Sequence, residues 1–340
     1  MSWLVTGGAG YIGLHVVRAL QAAGEDVVVL DDLSTGRPAL LDAPLVVGDV
    51  ADRAVLDAVL TAHDVRGVVH LAALKQVAES VADPLRYQRV NVGGLTTLLE
   101  AMRDHGVGTI VFSSSAAVYG MPDVPLVTER TPTAPVSPYG ETKLVGEWLV
   151  RSAARAHGLR YALLRYFNVA GADAPELVDP GGGNLVPMVF ERLSRGQRPL
   201  LFGADHPTPD GSCVRDFVHV GDLARAHVAA LRHLDAGGAD LLLDVGRGEG
   251  ASVREVLAVI GAVTGLSTDP EVLPRRPGDP PRVVASAQAV RHVLGWAPEH
   301  DLAAMVSSAW AGWTARPAVA PTLPRPRVAR DGAAVLSRGS

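Results

Sequence analysis

The chain has 340 residues, 48% hydrophobic and 20% charged, with 36 Gly, 24 Pro and a single Cys. This length and apolar content suit two domains or one large one and exclude disorder for most of the chain. With 31 Lys and Arg against 36 Asp and Glu, the net charge of −5 gives no electrostatic reason to expect a nucleic-acid or membrane surface. Cys213 alone cannot close an intrachain disulfide, no basic and then apolar leader opens the chain, and no run reaches the length of a membrane span. A cytoplasmic protein is expected.

In chain order, β-branched runs at 3–6, 27–31, 45–47, 67–71, 109–113 and 160–166 alternate with helix-period stretches near 11–23, 52–62, 84–105 and 138–157. Gly24, Gly106 and Gly158 stand where left-handed helix caps are wanted. The pattern predicts an α/β fold, a doubly wound parallel sheet of the Rossmann type. After residue 167 the texture becomes looser: a Gly-, Pro- and Asp-rich loop at 171–183, a helix near 185–195 and turns to 213. Residues 214–245 read as strand, helix 221–234 and strand 241–245. The expected division is a dinucleotide-binding domain of 1–167 plus about 214–245, and a smaller α+β substrate domain of about 168–213 and 246–315. Residues 316–340, rich in Arg and Pro without apolar periodicity, read as a disordered tail.

The run from Gly7 through Gly10 to Gly13 follows the first strand and opens the first helix, with Gly8 completing the G-x-G-x-x-G spacing. Such glycines allow a tight turn, backbone approach to a pyrophosphate and close helix packing. Asp31 ends the second strand, where a carboxylate accepts from an adenosine ribose and repels a 2′-phosphate. The pattern points to NAD, although Arg37 nearby weakens the choice against NADP. Ser137 and Pro138 read as the cap and first residue of a helix that puts Tyr139 and Lys143 at i and i+4, on one face. An ammonium and a helix start beside a phenol lower its pKa toward that of a base. Ser113, Ser114 and Ser115 close the fifth strand at its carboxyl end, the edge where open α/β sheets bind ligands.

The motifs GGAGYIG, SSSAAVYG and YGETK are those of the extended short-chain dehydrogenases/reductases. HLAALKQVAESVADPLRYQRVNVGG, LRYFNVAGA, NLVPM, DGSCVRDFVHVGDLA and PRRPGD narrow the likeness, so that residues 3 to 314 resemble the UDP-glucose 4-epimerase family. The resemblance implies reversible inversion at C4 of a UDP-hexose through a 4-keto sugar, with tightly bound NAD. It implies Tyr139 as base, Ser115 as partner of the sugar 4-hydroxyl, and Lys143 as the residue that holds the nicotinamide ribose. Tyr11, Ile12, Asp49, Val50, Leu71, Ala72, Lys75 and Phe167 match cofactor positions. Asn168, Asn184, Arg215, Arg276 and Asp279 match UDP-sugar positions, and the two arginines suit a diphosphate. Arg215 beside Asp216 also reads as an ion pair. Cys213 reads as a small buried filler with no activating base nearby. The family also implies a homodimer built on helices 84–105 and 138–157.

Two positions depart from relatives. Ala117 replaces a common Thr, and Val283 stands where some relatives carry a bulky Tyr, leaving room for the 2-substituent of an N-acetylated UDP-hexosamine. A 4,6-dehydratase needs an extra acid and base, usually an Asp-Glu pair in the strand-end motif, where this chain has Ser115-Ala116-Ala117 and no carboxylate. A UDP-glucuronate epimerase or decarboxylase needs a cation for the sugar carboxylate, and a non-catalytic NAD sensor commonly lacks the Tyr or Lys.

Overall fold

The computed structural model describes residues 1–181 and 183–316. Residues 317–340, and with them nearly all of the expected tail, lie outside the described residues. Strands β1 (Ser2–Thr6), β2 (Val27–Asp31), β3 (Leu45–Val47), β4 (Val65–His70), β5 (Thr109–Ser115) and β6 (Arg160–Tyr166) occur where the β-branched runs predict them. Between them lie α1 (Tyr11–Ala22), α2 (Arg53–Ala62), α3 (Val77–Ala82), α4 (Pro84–Tyr87), α5 (Gly94–Asp104) and α6 (Pro138–His157). The rest comprises β7 (Asn168–Ala170), α7 (Leu185–Ser194), β8 (Leu200–Phe202), β9 (Val214–His219), α8 (Val220–Asp235), β10 (Leu241–Val245), β11 (Gly250–Ser252), α9 (Val253–Thr264), β12 (Glu271–Leu273), β13 (Arg282–Val283), α10 (Gln288–Leu294) and α11 (Leu302–Ala315).

Seven parallel strands form one sheet in the order β10-β6-β5-β4-β1-β2-β3. Its inner strands are nearly continuous apolar runs because helices cover both faces. Alternate residues divide between the two layers. Trp3, Val5, Val29, Val69 and Val111 share a core with α1 and α8, whereas Leu4, Val28, Leu30, Val68 and Ile110 pack with α2, α5 and α6. The strand order reverses between β1 and β4, the switch point at which such sheets bind ligands. Gly24, Gly106 and Gly158 all take the left-handed conformation expected of them.

Two expectations are corrected. The stretch 84–105 is not one regular helix: α4 and α5 are joined by a wide π-helical turn over Gln88–Gly93. That turn carries buried Asn91 inward, where its amide bonds both backbone groups of Leu74 and the Thr142 hydroxyl at 2.8–3.0 Å. Strand 214–219, expected with the large sheet, lies instead in a second one. β9 pairs in parallel with β7 and β13 and antiparallel to β11. Only Phe167 separates β6 from β7, so the chain passes between sheets there, and β9 pairs with that continuation. α8 then packs against α1, and β10 joins the large sheet beside β6. A separate core of Val186, Val189, Phe190, Phe217, Ile260 and Met305 lies among α7, α9 and α11. Among the described residues no helix is long and apolar enough to cross a membrane.

Candidate active site

The helix that carries Tyr139 starts as its sequence dictates: the Ser137 hydroxyl accepts from the Gly140 N–H at 3.2 Å, and Pro138 takes the first helical position. The spacing 139, 143, 147 puts Tyr139, Lys143 and Glu147 along one buried face of α6. Lys143 Nζ donates to the Ser113 carbonyl at 2.8 Å and lies 6.0 Å from the centre of the Tyr139 ring. At the end of β5 the Ser115 hydroxyl accepts from Ala117 N–H at 3.2 Å and hydrogen-bonds the Tyr139 phenol. These three side chains meet at the carboxyl edge of the large sheet.

Burial dominates the electrostatics of this cluster. It pushes the Tyr139 phenol above its ordinary value, and only the Ser115 hydrogen bond opposes it. The depressed phenol expected from the sequence is therefore not what the protein alone displays, because burial outweighs the hydrogen bond that favours the phenolate. Lys143 is itself lowered to about 8 by burial. His70, fully buried and beside Lys143, falls to about 3 and stays neutral, with Nδ1 2.7 Å from the Thr6 hydroxyl.

Sequence reasoning missed what anchors α6. Glu147 meets Arg165 of β6 through two hydrogen bonds of 2.8 and 2.6 Å, and the Ser114 hydroxyl donates to Glu147 at 2.5 Å. Both charged side chains are almost completely buried, at 1% and 4% exposure. Burial alone would lower Arg165, but the hydrogen bonds and charge of Glu147 override it and hold the guanidinium above its usual value. Arg165 also donates to the Tyr119 hydroxyl at 3.0 Å, which donates to Asp244 at 2.7 Å. An acid two turns past Tyr139 on an inward helix face was the available signal.

The other wall is the glycine turn. Gly7 has φ +72°, and a Cβ there would stand 2.7 Å from Ala72 N; a Cβ on Gly13 would stand 2.2 Å from Gly7 O. These glycines let the exit of β4, through Leu71 and Ala72, press against the turn. No side chain caps the start of α1 at Gly10, which leaves the first N–H groups of Tyr11 and Ile12's helix turn for an anion. Asp31 is buried and accepts from Ala9 N–H at 2.9 Å and Leu33 N–H at 2.8 Å. Burial raises its pKa, and those two donors oppose the rise. Val50 and Phe167 are buried, whereas Asp49 and Lys75 are exposed. The turn, uncapped helix start and carboxylate fit a dinucleotide.

The substrate-side residues are more dispersed. Arg215 pairs with Asp279, not with Asp216, whose carboxylate accepts instead from the Arg247, Gly248 and Ala285 N–H groups. Val283, buried, stands opposite Arg215 in the β13–β9 register and packs with Ala116, Leu144 and Phe167. The Arg276 guanidinium lies 3.7 Å from the Phe202 ring centre. Asn184 donates to Asp179 at 2.5 Å, and Asn168 is exposed. Cys213 is buried as expected, but a base does stand beside it: His206 Nε2 is 3.3 Å from the thiol. Burial nonetheless raises the thiol pKa.

The sequence model of the NAD dependent epimerase/dehydratase family matches residues 3–246. The chain is 48% identical over 304 residues to the UDP-glucose 4-epimerase of Azospirillum brasilense, covering 88% of this chain and 87% of that one. It resembles the crystal structure of UDP-glucose-4-epimerase from Stenotrophomonas maltophila with bound NAD and formylated UDP-arabinopyranose, with TM-score 0.89, 40% identity and coverage of 93% and 98%. The UDP-Glc/GlcNAc 4-epimerase of Campylobacter jejuni matches with TM-score 0.81, 35% identity and coverage of 92% and 99%.

Two stability outcomes follow. Replacing Glu147 with Ala leaves Arg165 buried and unpaired, and urea unfolding should show a loss of about 3–5 kcal/mol; adding Arg165→Met should restore part of it. Asp244 is raised to about 7 from 3.8, mainly by burial, and one of its oxygens has no partner. A carboxyl raised by folding favours the fold at low pH and loses that contribution as pH rises through its folded pKa. Asp244→Asn should therefore gain stability relative to wild type as pH rises from about 4 to 7, then level off. A pH-independent difference in chemical denaturation would show that Asp244 does not titrate in this way.

Proposed function

This chain belongs to the NAD dependent epimerase/dehydratase family, and from that premise we infer that it interconverts UDP-glucose and UDP-galactose by inversion at C4. The observation that carries the reading is the meeting of buried Tyr139 and Lys143 with half-buried Ser115 at the sheet edge, on the same sheet as the glycine turn and Asp31. Ser115 holds the sugar 4-hydroxyl, and Tyr139 takes its proton as the C4 carbonyl forms. When bound, NAD would supply a hydride acceptor and donor for C4 and a positive charge beside the phenol. Tyr139 then gives the proton back to the new hydroxyl. Lys143, which donates to the Ser113 carbonyl, would hold the nicotinamide ribose. Gly7, Gly10, Gly13 and the helix start at Tyr11 and Ile12 hold the diphosphate; Asp31 holds the adenosine ribose.

Arg215, Arg276 and Asp279, with Asn184, hold the UDP, which frees the hexose to turn and present its other face. The pairing of Arg215 with Asp279 keeps that guanidinium ordered before a phosphate arrives. The large-sheet domain thus serves NAD and the smaller one UDP-sugar. Val283 supports a wider pocket, since it is a small side chain between Arg215 and the strand-end cluster. On that ground UDP-N-acetylglucosamine and UDP-N-acetylgalactosamine are also substrates. Val77, Val81 and Leu85 of α3 and α4 and Trp148 of α6 are large apolar side chains left exposed on neighbouring helices. They support a homodimer through this face. A single cysteine, buried, is consistent with a cytoplasmic location.

Purified protein given UDP-galactose without added cofactor should form UDP-glucose, and Tyr139→Phe should lower the rate by about 10²–10⁴. No product, even with NAD added, overturns the epimerase reading and makes UDP-glucuronate the next candidate. UDP-N-acetylglucosamine should turn over with the wild type, and Val283→Tyr should lose it while keeping UDP-galactose. Sedimentation equilibrium should give the mass of two chains, and Trp148→Glu should shift it toward one.

A further inference from the structure

Arg37 sits at the end of the loop that follows β2 and Asp31. Its backbone N–H donates to the Ala9 carbonyl at 2.8 Å, which fixes the loop against the glycine turn. Its guanidinium reaches away from that turn into residues 171–180, the chain that leaves β7. Nη1 donates to the carbonyls of Glu176 at 3.1 Å and Val178 at 2.9 Å, and Nη2 to that of Leu177 at 3.3 Å. These carbonyls end a short helical turn over Pro175–Leu177, so their dipoles point outward at the cation.

The same stretch is tied to the first turns of α1. Tyr11 donates its hydroxyl to the Gly171 carbonyl at 2.6 Å, the Asp173 N–H donates to His15 at 3.2 Å, and Arg18 pairs with Glu176 at 3.1 Å. Arg316 shares the Val178 carbonyl with Arg37, donating to it at 3.4 Å, and donates also to those of Pro180 at 3.3 Å and Asp179. Arg37 differs from all of these in one respect: among the described residues, its side-chain hydrogen bonds are the ones that join residues 171–180 to the loop that follows Asp31.

We propose that Arg37 is a cofactor-retention residue, a latch by which residues 176–178 hold the loop after β2 against the glycine turn. Its guanidinium is thereby withheld from the 2′-position of an adenosine ribose. The inference deepens the NAD-site reading of the glycine turn and Asp31 and rests on it. With the latch closed, the loop stays folded on the turn and bound dinucleotide leaves slowly. With the guanidinium gone, the loop keeps its backbone bond to Ala9 and its local bonds to Asp31 and Asp32 but loses its tie to residues 176–178, and dinucleotide escapes without any change in the residues around Tyr139.

The test reads cofactor directly, without turnover. Wild type, Arg37→Ala, Arg37→Lys and Arg316→Ala are loaded with NAD and chased with excess 1,N6-etheno-NAD, and release is followed by fluorescence. NADP affinity is measured on the same proteins by calorimetry, and circular dichroism checks that each is folded. The expected result is release at least tenfold faster from Arg37→Ala, an intermediate rate from Arg37→Lys, which reaches fewer carbonyls, and less than threefold change from Arg316→Ala. The ratio of NAD to NADP affinity should be unchanged in Arg37→Ala. Release from Arg37→Ala within twofold of wild type overturns the latch. So does equal acceleration by Arg316→Ala, and so does a selective loss of NADP affinity, which would place the guanidinium at the ribose. A wild type that binds no NAD at all overturns instead the dinucleotide reading on which the latch rests.

Discussion

The buried pair of Glu147 and Arg165 is the constraint on which the reactive cluster depends. Two ions taken out of water carry a large desolvation cost, and the pair is tolerable because each ion is met by the other and by further hydrogen bonds. Arg165 gives two hydrogen bonds to Glu147 and one to Tyr119, while Ser114 satisfies Glu147 further. The result fixes both the rotation and the height of α6 against β5 and β6. Lys143, one turn back, then falls level with the Ser113 carbonyl, and Tyr139, two turns back, falls level with Ser115. A helix held only by apolar contacts could slide by fractions of an ångström; one held by a fork of charged hydrogen bonds has a single register.

The pleat of β5 lets three consecutive serines serve three purposes. Ser114 faces α6 and bonds Glu147, whereas Ser113 turns its hydroxyl to the opposite layer, 3.0 Å from His227 of α8. Ser115, at the strand end, is left for Tyr139. The strand is thus tied to both helical layers at the residues immediately before the reactive one. Nearby titratable groups are kept from competing: His70 and His227 are held neutral by burial, at about 3 and about 4. That leaves Lys143 as the cation beside the phenol in a pocket where a charge counts for more than it does in water.

Where the sequence carried local physics, it was read with little loss. Continuous β-branched runs, left-handed glycines and the Ser137-Pro138 start are consequences of backbone sterics and capping, which act over a few residues. The wide turn at 88–93 was hidden because its cause, Asn91 reaching Leu74 and Thr142, is a set of partners distant in sequence. The second sheet was hidden for a like reason, since β7 and β9 are each short and acquire meaning only by pairing with one another.

The same division runs through the site. By itself the sequence determined the large parallel sheet, the glycine turn with its Asp31, and the placing of Tyr139 and Lys143 on one helix face, because spacing of three or four residues fixes a face. Tertiary structure alone decided that Arg215 pairs with Asp279 and not with its neighbour Asp216, that Arg37 spends its guanidinium on carbonyls about 140 positions away, and that Glu147 finds Arg165. Charged side chains are long and accept many partners, so their choice is made by which backbone groups and counter-ions the packed layers bring within about 3 Å.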